Sequence, residues 1–198
     1  HDCFFEGAAL CILTAYASGG SLNQTVRAQD GEPLAGPVVE RWLSQMVAGL
    51  HYLHSHRVLH RDFTSKNVFL DGALTVKIGD LGLSRKLSEA PYLATSFCGT
   101  PYYFSPELLS GEPYAQPSDC WALGVVLFEL LTLRRAFEVI ATRPTPHPRA
   151  LPTGRDGCQG NNVMHLCALV MKGAYDEDAL AACAHAPALR KLVTGDGL

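Results

Sequence analysis

Apolar residues recur along this chain in more than one rhythm. Val39, Leu43, Met46, Leu50 and Leu53 are spaced 4, 3, 4 and 3. That is one stripe of an amphipathic helix, opening at Gly36-Pro37, where proline fits the first turn. Upstream, residues 8–17 (AALCILTAYA) predict a strand that ends in the turn Ser18-Gly19-Gly20, and the polar residues 23–32 leave room for a short helix. Downstream, residues 67–70 and 74–78 are two short apolar pieces parted by Asp71-Gly72, a hairpin signal. Residues 120–133 form an apolar run interrupted by Glu129, with Ser118 as a candidate N-cap. The run is too short and too charged for a bilayer span and predicts a buried helix. Two weaker helices are expected over residues 162–172 and 187–193. Residues 84–106 have no sustained period and predict an ordered loop. Residues 142–160, with four prolines and three glycines, predict a surface insertion.

Composition narrows the class. With 47% hydrophobic and 18% charged side chains among 198 residues, the chain is neither disordered nor fibrous, and one core of ordinary size is expected. A net charge of −3 offers no basic footprint, so no nucleic-acid partner is expected; nor is a membrane partner. The seven cysteines are odd in number and contain no C-x-x-C, which favours a reducing compartment and leaves a zinc site without paired ligands. The first residue is histidine and no signal peptide is visible, so the sequence is expected to begin inside a longer protein.

The chemistry-bearing residues are concentrated after the long helix. His60-Arg61-Asp62 is followed by Asn67, five residues beyond the aspartate. Asp80-Leu81-Gly82 comes thirteen residues after Asn67. Then stand Gly99-Thr100-Pro101-Tyr102-Tyr103-Phe104-Ser105-Pro106-Glu107 and, twelve residues past Glu107, Asp119-Cys120-Trp121-Ala122-Leu123-Gly124. In this order and at this spacing the four motifs resemble a eukaryotic protein kinase. Asp-Leu-Gly followed by Leu-Ser-Arg, and the run Gly-Thr-Pro-Tyr-Tyr-Phe-Ser-Pro-Glu, are most similar to the NIMA-related serine/threonine kinases. A P-loop nucleotide-binding fold is excluded by the absence of G-x-x-x-x-G-K-[ST].

The resemblance implies an α+β, mainly α fold: the large lobe of a protein kinase over residues 18–198, with residues 1–17 as the last small-lobe strands and the hinge. It implies ATP and Mg²⁺ as cofactors and a protein substrate phosphorylated on serine or threonine. Asp62 would accept or orient the substrate hydroxyl, and Asn67 and Asp80 would hold magnesium, a hard cation that takes oxygen ligands. Thr100 would brace Asp62. Thr14 would be the gatekeeper of the adenine pocket, Ala15 and Ala17 would bond adenine through their backbone, and Phe69 would pack under its ring. His60 is expected to be structural. Asp119 is expected to anchor the loop backbone, and Glu107 to lack its usual arginine. Arg61 would receive a phosphate placed on Thr95 or Ser96, which are otherwise ordinary loop hydroxyls. A cytoplasmic location follows, with cytoskeletal association allowed by the resemblance.

Two departures stand against that pattern. Thr64 occupies the place, two residues after Asp62, where the family carries a lysine that neutralises the transferring phosphate. Lys66, four residues after Asp62, is the candidate to take over that role. No G-x-G-x-x-G and no strand lysine in a V-A-I-K context occur in the chain, so the 198-residue polypeptide alone is expected to be inactive, with apolar surface exposed. The alternative is a pseudokinase or scaffold that docks partners without phosphotransfer.

Overall fold

A computed structural model describes residues 2–87, 99–137, 160–183, 185 and 187–194. The expectations for Thr95, Ser96 and nearly all of the Pro/Gly-rich insertion lie outside the described residues. The chain opens on an antiparallel hairpin, β1 (Asp2–Glu6) and β2 (Ala9–Leu13), turned at Gly7 with φ 62°. Glycine takes this left-handed angle without a Cβ clash. The single strand expected over residues 8–17 is therefore shorter and is the second arm of a hairpin. Both arms are exposed almost throughout, with Phe5 at 75% and Ile12 at 67%.

A short strand, β3 (Gly20–Ser21), leads into α1 (Leu22–Ala28). The Ser21 hydroxyl accepts from Gln24 N–H at 3.3 Å, and Gln24 Oε1 accepts from Ser21 N–H at 2.8 Å. This reciprocal box satisfies two donors that the first helical turn leaves open. The long helix α2 runs Gly36–Ser55 as the stripe predicts. Its sealed face is Val39, Trp42, Met46 and Leu50, while Leu43 and Leu53 are only partly buried. Trp42 and Leu43 compete for one position of the repeat, and the larger indole takes it.

Next come β4 (Val58–Leu59), β5 (Val68–Leu70), β6 (Val76–Ile78) and β7 (Arg85–Lys86). Strands β3, β5 and β6 form one sheet in that order, and β4 pairs with β7. The β5–β6 hairpin stands where Asp71-Gly72 predicts it, but its second arm starts at Val76 rather than Leu74. Asp71 Oδ1 accepts from the N–H groups of Ala73 and Thr75, both at 2.9 Å, and Leu74 turns left-handed at φ 57°. The hairpin is bound to α2 through Trp42 Nε1–H to Leu74 O at 3.0 Å and Val76 N–H to Gln45 Oε1 at 2.9 Å.

Helix α3 (Pro106–Leu109) precedes α4 (Gln116–Thr132), whose buried residues run unbroken from Val125 to Leu131. Ser118 is not its N-cap. The helix starts two residues earlier at Gln116, with Pro117 in its first turn, and the Ser118 hydroxyl donates to Glu107 Oε1 at 2.7 Å. Glu107, expected to lack its usual arginine, takes this hydroxyl of α4 as a partner. The chain ends on α5 (Gly160–Lys172), α6 (Glu177–Ala182) and α7 (Pro187–Thr194). Helix α6 was not anticipated; it is one and a half turns long and is capped by Asp176 Oδ1 accepting from Ala179 N–H at 2.9 Å. Helix α4 packs against α2, α6 and α7, so it is the axis of the main core, as expected for a helix apolar on every side. The architecture is the α+β, mainly helical one predicted.

Leu130 is fully buried on α4, whereas Val47 on α2 is 48% exposed. Leu130→Ala is expected to lower unfolding free energy by about 2–5 kcal/mol through lost burial and an unfilled cavity. Val47→Ala is expected to stay within about 0.5 kcal/mol. Urea denaturation of both variants checks the assignment; equal losses would contradict it.

Candidate active site

The hairpin register builds one side of the site. Val68 pairs with Ile78, so Asn67 and Gly79 face each other just beyond the ladder, joined by Gly79 N–H to Asn67 O at 2.9 Å. Asp80 follows at once, exposed and left-handed at φ 54°, with Oδ1 accepting from Gly82 N–H at 3.2 Å. Asn67 and Asp80 therefore stand at the open end of the hairpin, opposite the Asp71 turn.

The loop between β4 and β5 builds the other side. Asp62 Oδ1 accepts from both the N–H of Thr100 at 2.9 Å and its hydroxyl at 2.8 Å. Asn67 Nδ2 donates to Asp62 Oδ2 at 2.8 Å and to the Asp62 carbonyl at 2.9 Å. Two residues, one five and one 38 positions along the chain, thus fix one carboxylate. Gly99 makes this possible. Its φ is 116°, and a Cβ there would lie 2.7 Å from the Arg61 carbonyl, so any other residue would push Thr100 away from Asp62.

Beneath the loop lies Asp119, with no exposed surface. It accepts from His60 N–H and Arg61 N–H at 3.0 Å each, from the Tyr114 hydroxyl at 2.8 Å, and pairs with His54 Nε2 at 2.8 Å. Burial alone would raise its pKa, but these four donors outweigh it and hold the carboxyl below its ordinary value. The left-handed backbone of Arg61, at φ 70°, is held by this anchor. Fully buried His60 is neutral. Its Nδ1 must accept from Asp62 N–H, at 3.3 Å, and its Nε2–H donates to Gly79 O at 3.1 Å. Burial lowers its pKa more than Asp119, the Gly79 carbonyl, Asp62 and Asp80 together raise it. His60 thus ties the loop to the hairpin and has the structural position the sequence predicts.

The remaining sequence candidates divide by place. Phe69 is half-buried on β5, its ring against Gly79. Ala17 is half-buried just before β3: Gly19 N–H donates to Leu70 O at 2.8 Å, and the Ala17 carbonyl accepts from Gly20 N–H at 3.1 Å. Thr14 and Ala15 are exposed just past β2. Lys66 is exposed on the turn before Asn67, and Thr64 is buried. Arg61 is a buried residue of the loop itself.

Sequence reasoning missed a second buried carboxylate. Glu129 is 5% exposed and accepts from the Tyr103 hydroxyl at 2.9 and 3.0 Å; that hydroxyl also contacts Ser65 Oγ at 3.0 Å. Burial raises the Glu129 pKa despite Ser65, Tyr103, Arg135 and Lys66 nearby, and burial together with the Glu129 charge keeps Tyr103 protonated. The signal was present: a lone carboxylate in an apolar helix must find a polar partner.

The donor set suits a hard divalent cation. Both hydrogens of the Asn67 amide go to Asp62, which keeps the amide Oδ1 for a cation, and Asp80 Oδ2 has no hydrogen-bond partner among the described residues. Two protein oxygens with water and phosphate completing the shell is how Mg²⁺ is commonly bound. Among the described residues no cluster of histidine, cysteine or acids makes a rival metal site.

Comparison with known proteins agrees with this geometry. The family described as "Protein kinase domain" matches residues 1–147. The serine/threonine-protein kinase Nek1 of Mus musculus is 42% identical over 137 residues, covering 69% of this chain and 11% of that protein. Nek4 of Mus musculus is 42% identical over 128 residues, covering 65% of this chain and 16% of its own length. Nek9 of Mus musculus is 40% identical over 141 residues, covering 71% of this chain and 14% of its own length. The chain thus spans only a small part of the curated relatives it matches.

The neutral, buried state of His60 has a pH consequence. Its folded pKa lies below the unfolded value of 6.5, so its stabilising contribution is complete above 6.5 and is lost as pH falls through the lower folded value. Urea midpoints measured on descending pH from neutrality are expected to fall in this window for the wild type and to flatten for His60→Gln. Identical pH profiles would contradict the assignment.

Proposed function

The chain belongs to the protein kinase family, and from that premise we propose that the protein it comes from transfers the γ-phosphoryl group of ATP to serine or threonine hydroxyls of a protein substrate. The observation that carries this reading is the Asp62 carboxylate, aimed by Thr100 on one oxygen and Asn67 on the other, at the mouth of the hairpin that ends in Asp80. Residues 1–17 serve as the last small-lobe strands and hinge, and residues 18–198 as the large lobe.

The substrate oxygen bonds to the γ-phosphorus as the bond from that phosphorus to the oxygen of departing ADP breaks, and the hydroxyl proton passes to Asp62. Asn67 and Asp80 would hold Mg²⁺, which when bound would neutralise charge on the phosphate oxygens. Thr100 fixes the angle at which Asp62 meets the hydroxyl, and alignment of this kind is a large part of phosphoryl-transfer catalysis. Adenine is taken at the backbone of Ala15 and Ala17, with Thr14 beside it and Phe69 under its ring. Lys66 supplies the cation that Thr64 lacks, since Thr64 is buried and uncharged while Lys66 is exposed beside Asn67. Phosphate on Thr95 or Ser96 acts through Arg61. A scaffold without phosphotransfer would have no use for so closely aligned an aspartate.

Peptide phosphorylation by the full-length protein tests this. Asp62→Asn is expected to lower kcat by about 10²–10⁴-fold with ATP affinity retained. Lys66→Ala is expected to lower kcat far more than Thr64→Ala. Full turnover in Asp62→Asn would contradict the mechanism, and equal rates in the two other variants would remove Lys66 from it.

A further inference from the structure

Arg135 has no part in the roles above, yet it packs on the segment that carries Thr100. Its guanidinium lies 4.1 Å from the centre of the Tyr102 ring, and Tyr102 is two residues past the threonine that holds Asp62. Lys66 is exposed on the turn that precedes Asn67. One node joins the two cations. The Tyr103 hydroxyl touches Ser65, the neighbour of Lys66, and Glu129, which both cations influence electrostatically.

Glu129 does not pair with either cation. It is buried, and its oxygens accept from Tyr103. Among the described residues the ion pairs are His54–Asp119, Lys77–Asp71 and Arg134–Asp176, so neither Lys66 nor Arg135 is ion-paired among them. The other acid at hand, Asp62, is committed to Thr100 and Asn67. A guanidinium stacked on a ring is held flat and keeps its N–H edge for a planar anion.

The geometry points to an anion-selective substrate subsite formed by Arg135 on the Tyr102 ring, separate from the Lys66 that serves the transferring phosphate, which recognises a carboxylate or phosphate on the same peptide as the acceptor hydroxyl. This rests on the kinase reading and adds the class of substrate. Arg135 determines specificity and touches no reacting atom.

Fluorescence polarisation with the full-length protein tests it. The probes are labelled serine peptides of one sequence carrying Glu, phosphoserine, Gln or Lys in turn at each flanking position. At one such position the Glu and phosphoserine peptides are expected to bind about tenfold more tightly than the Gln peptide, the scale of one charge-assisted hydrogen bond. Arg135→Gln is expected to shrink that ratio, Arg135→Lys to restore part of it, and Arg135→Glu to reverse it in favour of Lys. A phosphoserine preference without a Glu preference would assign the anion to prior phosphorylation; a preference for both would assign it to acidic side chains as well. Equal binding of Glu, phosphoserine and Gln peptides at every position, or an unchanged ratio in Arg135→Glu, overturns the inference. Binding is read without phosphate transfer. A protein that sorts peptides by charge but transfers nothing would count against the proposed activity alone.

Discussion

A single carboxylate in the core organises the site. Asp119 is charged, fully buried and carried on the central helix α4, where an unpaired charge would cost several kcal/mol. It is satisfied by two backbone N–H groups of the loop, a phenol and an imidazole. Those bonds dictate the loop's path, including the left-handed turn at Arg61. From the loop the constraint passes through the His60 ring to Gly79, and from Gly79 to Asn67. Asp62, Asn67 and Asp80 therefore share one frame, rooted in the helix with the most burial.

Some of this was legible in the sequence for physical reasons. The α2 stripe is visible because a helix against a core needs an apolar residue every three or four positions. The hairpin is visible because Asp71 can accept from its own loop N–H groups, as it does. The candidate site residues were picked out by the order of four motifs, and the resemblance to kinases that those motifs carry agrees with the family match. Asp62, Asn67 and Thr100 are found in direct contact, although 38 residues separate the first from the last.

Other features depend on tertiary partners and leave little local trace. Ser118 carries the side chain of a cap, but Pro117 already lies within the helix and a carboxylate from Glu107 claims the hydroxyl. Helix α6 is too short to show a period and holds by its Asp176 cap and its packing on α4. Glu129 looked like an interruption in an apolar run, whereas it is the acceptor that secures Tyr103 beside the loop. The β1 arm left no local pattern, because a strand with neither face buried has no alternation to reveal it; only the family resemblance implied more than one strand over residues 1–17.

What most directly tests the account is whether Asn67 and Asp80 form a joint oxygen site for a nucleotide-bound cation. Calorimetric titration of the full-length protein with a non-hydrolysable ATP analogue, in Mg²⁺ and then in EDTA, measures this. The account predicts affinity that depends strongly on Mg²⁺ in the wild type, with that dependence lost in Asp80→Ala and in Asn67→Ala. Binding that is equally tight in EDTA, or a Mg²⁺ dependence that survives both substitutions, would contradict it.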